Sequence, residues 1–199
     1  LVSLHDLGLA ARHCTRLILL AEGGILADGT PAQVLTPDLM ARAFWAASAG
    51  EYERIILLSP DHFRAVSGPF GVATEGFDTI FGPVEVDDVG VQTLLLSPAT
   101  FRRIAPEKVA VEHGFHALTP LIKKFWPKAQ VIPVLGSIHS DLPDWHRAAK
   151  ALAPLVTDKT LIIQSTDFSH YLPRALAVLR DEESLGVIAS GSVDEVRNL

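Results

Sequence analysis

Three apolar runs without alternation constrain this chain most. They are "RIILLSPDHF" at 54–63, "AQVIPVLG" at 129–136 and "TLIIQS" at 160–165. A strand with one wet face alternates apolar and polar residues. A continuous run is the mark of a strand buried on both faces, which is the environment of a parallel sheet covered by helices. Helical patterns separate the runs. "VGVQTLLLSP" reads as a short helix, "VAVEHGFHALTPLIKKFW" as extended and then helical, and "LPDWHRAAKALAPLV" and "RALAVLRDEESLGVIAS" as helices. Strands alternating with helices from about residue 37 onward predict an α/β layered sheet, mostly parallel.

The residues before that point have a different character. Leu4, Leu7, Ala10 and Ala11 are spaced for one face of a helix over 4–13. "RLILLAEGGILADG" reads as strand, Gly-Gly turn and strand, a hairpin. Thr30 is an N-cap candidate with Pro31 behind it, and a second Thr-Pro at 36–37 starts another helix. Residues 65–90 are glycine-rich and irregular, with "FGPVEVD" as a short extended piece, and "SVDEVRNL" begins a last helix.

Composition excludes several classes. Of the 199 residues 48% are apolar and 20% charged, a globular profile. The net charge is −6, and no basic cluster exceeds the pair Lys123–Lys124, so no nucleic-acid partner is expected. Cys14 is the single cysteine, which rules out an internal disulfide and fits a reducing cytoplasm. No apolar run approaches the roughly 20 residues of a membrane span, and no signal peptide is visible. The first residue is Leu1, which reads as a fragment or a trimmed chain.

In parallel sheets, ligands bind beyond the carboxyl ends of the strands. Two of the apolar runs end there in polar clusters. The first run gives Ser59, Asp61 and His62; the third gives Ser165, Thr166, Asp167, Ser169 and His170. Glu112, His113 and His116 form another group just before a helix. Histidine is the commonest metal ligand and the usual acid or base at neutral pH. The His113/His116 spacing lets both lie on one helical face. Plainer readings stand beside these. Ser-Pro-Asp is ordinary turn chemistry, Asp167 serves equally as a helix N-cap, and a lone histidine is structural more often than not. His139 and His146 read as surface residues.

Residues 1 to about 44 closely resemble the end of the ATP-binding subunit of iron-siderophore, haem and cobalamin ABC importers. "SLHDL" and "LILLAEGGILADGTPAQVL" carry the likeness. In that family the histidine of the first motif contacts the γ-phosphate, and His5 matches it. No GxxxxGK[ST] loop occurs, so no nucleotide is expected to bind.

Residues from about 37 to 199 resemble the Memo family, also called AmmeMemoRadiSam system protein B. The likeness rests on "LLSPDHF", "FGPVEVD", "VEHGFHALTPLIKKFWPKAQVIPVLG" and "IIQSTDFSHY", in that order. It implies the fold of class III extradiol dioxygenases, a three-layer, mostly parallel sheet between helices. It makes His62 a metal-binding histidine, with His113, Asp167 and His170 lining the same pocket as catalytic candidates. The family's first metal histidine precedes the "ARAF"-like helix, where the importer-like segment stands here. The family's later cysteine ligand would lie beyond Leu199, and His116 stands where many members carry glutamate. The expected organisation is therefore an importer-like segment at 1–36, a helix plus hairpin, before a Memo-like domain at 37–199 incomplete at both ends. The expected cofactor is Fe(II) or Cu, weakly held, beside a small-molecule ligand. The alternatives are a fragment of an importer ATP-binding subunit and an inert binding module.

Overall fold

The computed structural model describes residues 17–21, 24–29, 44–45, 47–165 and 173–191. The helices expected at 4–13, after Thr30 and at 192–199 lie outside the described residues, as do His5, Asp167 and His170. The chain divides into two compact units, one of residues 1–47 with 167–199 and one of residues 48–166.

In the first unit, β1 (Leu17–Ala21) and β2 (Gly24–Gly29) pair antiparallel as the expected hairpin, with a register shift at Leu19/Leu20. The helix Arg174–Ser190 belongs to the same unit and matches the apolar periodicity of "RALAVLRDEESLGVIAS". No described helix is long and apolar enough to cross a membrane.

The second unit holds a five-stranded sheet in the order β5-β4-β6-β3-β7. The strands are β3 (Arg54–Pro60), β4 (Phe70–Val72), β5 (Phe101–Arg103), β6 (Gln130–Gly136) and β7 (Thr160–Gln164). Only β4 against β6 is antiparallel; the other pairings are parallel. β3 and β6 are the two central apolar runs, and Ile55, Ile56, Leu57, Val131 and Ile132 are fully enclosed. β7 corrects one expectation. It closes the strand order, pairs with β3 alone among the described residues, and leaves Ile162 49% exposed. An apolar run without alternation does not by itself distinguish a central strand from an edge strand.

Helices cover both faces. α1 (Asp88–Leu95) brings Gly90 so close to the sheet that an added Cβ would stand 2.4 Å from Ile132 Cδ1. Ile132 is the register partner of Ile56. Ser59 lies three residues further along β3 and so points to the other face. There α3 (His113–His116) is seated with Gly114 against the Ser59 hydroxyl. α4 (Thr119–Phe125) follows α3 and buries Ile122. α5 (Leu142–Leu152) joins β6 to β7, and its Trp145 meets Phe70 edge-on at 4.7 Å. The stretch before α3 is not extended as expected. Pro106 starts a one-turn helix, α2 (Pro106–Val109), because proline suits the first helical turn. β4 and β5 are also absent from the sequence reading; three residues each are too short for a periodic signal.

Candidate functional site

The site begins where β3 stops. Ser59 is buried and its hydroxyl donates to the Pro60 carbonyl at 3.2 Å. The buried Asp61 carboxylate then accepts the amides of Ala65 and Val66 at 2.8 and 2.9 Å. This is the turn chemistry that the sequence offered as the plainer reading. The turn it braces carries Arg64 at φ 50°, left-handed backbone that a non-glycine residue seldom adopts. The result is a fixed loop that presents His62.

The second part arrives on α3. Glu112 is its N-cap and is wholly buried. Its Oε1 accepts the Gly114 amide at 3.0 Å and lies 2.6 Å from His62 Nδ1. Its Oε2 accepts the His62 amide at 3.3 Å. One carboxylate therefore holds both backbone and ring of a residue on another segment. The His113 ring lies beside that of His62, centroids 4.2 Å apart and planes tilted by 37°. Phe63 meets His113 edge-on at 5.6 Å and forms an apolar wall. Donor atoms of His62, Glu112 and His113 all fall within 4.8 Å of one another.

Gly114 makes this approach possible. A Cβ there would stand 2.0 Å from Ser59 Oγ. Only hydrogen in place of a side chain lets the start of α3 sit on the end of β3.

The structure brings His62 and His113 together; Asp167 and His170, expected beside them, lie outside the described residues. His116 turns elsewhere, its Nε2 3.2 Å from the Val109 carbonyl and its ring edge-on to Phe77 at 5.5 Å. The spacing in α3 would allow His113 and His116 one face, yet His116 is engaged by Val109 and Phe77 and stays out of the cluster. His139 and His146 are exposed, as read. Glu112 is the residue the sequence analysis left without a role. The signal was available: a carboxylate preceding His-Gly at a helix start is both a cap and a potential partner for a neighbouring histidine.

Burial alone would push the Glu112 carboxyl up. The hydrogen bonds from the His62 ring and the Gly114 amide outweigh it and hold the group below its ordinary value of 4.5. A carboxyl depressed in the folded state contributes stability above its unfolded pKa, and that contribution is lost as pH falls through the folded value. In an acid titration followed by circular dichroism, Glu112→Gln is expected to be less stable than wild type at neutral pH. The gap should narrow below about pH 4.5. A gap that stays constant from pH 7 to pH 3 would contradict this assignment.

A mostly parallel α/β sheet with a histidine–carboxylate cluster at its carboxyl edge defines the class. The family model described as Memo-like protein matches residues 33–198, and the chain belongs to the Memo family. A MEMO1 family protein of Pyrobaculum arsenaticum is 24% identical over 198 residues, covering 96% of this chain and 67% of that protein. A short likeness lies elsewhere. The hemin import ATP-binding protein HmuV of Bordetella avium is 54% identical over 44 residues, 22% of this chain. That of Burkholderia thailandensis is 57% identical over 44 residues. The chain spans only 17% and 16% of the length of these two subunits.

Proposed function

We propose that this Memo-family chain holds a divalent metal through His62 and takes a small-molecule ligand beside it, at a site related to those of non-heme dioxygenases. The supporting observation is the pairing of His62 with a buried, ionised Glu112, next to a second imidazole. Imidazole donors suit Fe, Cu and Zn, so the side chains fit the expected Fe(II) or Cu. When bound, such an ion supplies Lewis-acid and one-electron chemistry. His62 is the ligand, and Glu112 orients it. His113 stands ready to give or take a proton at its ring, and Phe63 limits water on one side. Asp167 and His170 are further candidate proton-handling groups on the family likeness alone, and lie outside the described residues. On this reading the ion is held weakly. The family membership and the reducing cytoplasm inferred from Cys14 point the same way.

The test is anaerobic Fe(II) and Cu(II) titration of the purified chain, followed by dialysis. Wild type should bind about one ion and lose it on dialysis. His62→Ala should bind none, whereas His139→Ala, at an exposed position, should match wild type. Tight stoichiometric metal that survives His62→Ala would overturn the proposal.

A further inference from the structure

We infer that Glu112 is a positioning residue. It fixes His62 as the Nδ1–H tautomer, so that Nε2 carries the donor lone pair. The consequence for metal rests on the reading of His62 given above; the tautomer does not.

The carboxylate has its donors in place. Oε1 lies 2.6 Å from His62 Nδ1 and accepts the Gly114 amide, and Oε2 accepts the His62 amide; an ionised carboxylate can only accept, so Nδ1 must carry the proton. Glu112 is 0% exposed, and the His62 ring is 15% exposed. The carboxylate thus faces inward and the ring reaches the surface. A neutral imidazole that donates from Nδ1 has its lone pair on Nε2.

The rival reading makes Glu112 a ligand on the same ion as His62 Nδ1. The separation favours a proton between them. Two donors at about 2.1 Å from one cation, at right angles, lie roughly 3 Å apart. The observed separation of 2.6 Å is shorter and matches a hydrogen bond to an ionised group. A proton, not a cation, belongs between these two atoms. Metal-binding imidazoles commonly donate their other ring N–H to a carboxylate, which fixes orientation and raises basicity. The Glu112 contact to the His62 main chain adds a second restraint, because ring and backbone are then held by one group.

The test begins with the metal-free full chain, labelled with 15N and observed through two-bond 1H–15N correlations. At a pH where the ring is neutral, His62 should show a protonated Nδ1 and a bare Nε2. Co(II) titration then compares variants. Glu112→Gln keeps the shape and one acceptor but not the charge, and should weaken Co(II) binding by about 10–100-fold without abolishing it. His62→Ala should abolish it. Two results would overturn the inference: an Nε2–H tautomer at His62 in wild type, or loss of Co(II) in Glu112→Gln as complete as in His62→Ala. Should wild type bind no Co(II) and yet show Nδ1–H, the metal reading would fail while the positioning role stood.

Discussion

Gly114→Val is expected to lower the stability of the chain by about 3 kcal/mol, the upper end for overpacking a filled site. The first atom of the new side chain already conflicts with Ser59 Oγ at 2.0 Å, and lies 3.1 Å from Ser59 Cβ and 3.3 Å from Glu112 Oε1. Ser59 is itself buried at the end of β3 and has little room to yield. Helix propensity does not rescue the change, because valine gains at most a few tenths of a kcal/mol over glycine. Gly114→Ala should show a smaller loss, and Ser59→Ala in the same chain should return part of it by removing the nearest atom. Urea denaturation of the two single variants and the double variant measures this. Equal losses with and without Ser59→Ala would show that the hydroxyl is not the obstacle. The second readout is the site. Both Gly114 variants should weaken the His62–Glu112 contact, because α3 must tilt to admit the side chain.

Asp87→Ala is expected to be as costly, at about 3 kcal/mol. Asp87 caps α1 by accepting the Gly90 amide at 2.9 Å and pairs with the Arg54 guanidinium at the start of β3. Its side chain is 7% exposed, whereas that of Arg54 is 26% exposed. The alanine leaves the guanidinium with the Leu155 carbonyl, 3.0 Å away, but without its counter-charge. The lost cap contributes about 1 kcal/mol of the total, and the stranded cation the rest. Arg54→Met combined with Asp87→Ala should therefore be more stable than Asp87→Ala alone. A double variant that is merely the sum of its parts would mean that the ion pair contributes nothing to coupling. These residues lie at the amino end of β3, so metal binding at His62 should be unchanged wherever the variant is folded.

Sequence and structure agree where burial is unbroken. "RIILL" and "VIPVL" announced the two central strands because a strand covered on both faces favours such runs. "TLIIQ" looked the same, but among the described residues it pairs on one side only and is partly exposed. Nothing local records whether a neighbouring strand is present, since that depends on the order of connection. β4 and β5 escaped because three residues carry no period, and Phe70 pairs across to Gly136 only after the chain has folded back. At the site, His62 was legible as a histidine beyond a strand end and His113 as one of a polar group just before a helix. The Glu112–His62 contact was not. It depends on α3 pressing against β3, and the permission for that resides in Gly114, a residue without a side chain to notice.

That contact also dates the site within folding. Glu112 and His62 stand 50 residues apart in the chain. Joining such distant points costs loop entropy of roughly 3.5 kcal/mol, growing only slowly with length. The hydrogen bonds from the His62 ring and amide return about 1.5–3 kcal/mol each, which leaves little surplus over the loop term. The contact is therefore expected to depend on the paired β3–β6 edge, against which α3 is seated. A chain stalled with its sheet half built would present His62 as an ordinary mobile imidazole. The oriented nitrogen thus depends on that completed edge, and under the proposed metal role ion capture at His62 is expected to double as a readout of completed folding.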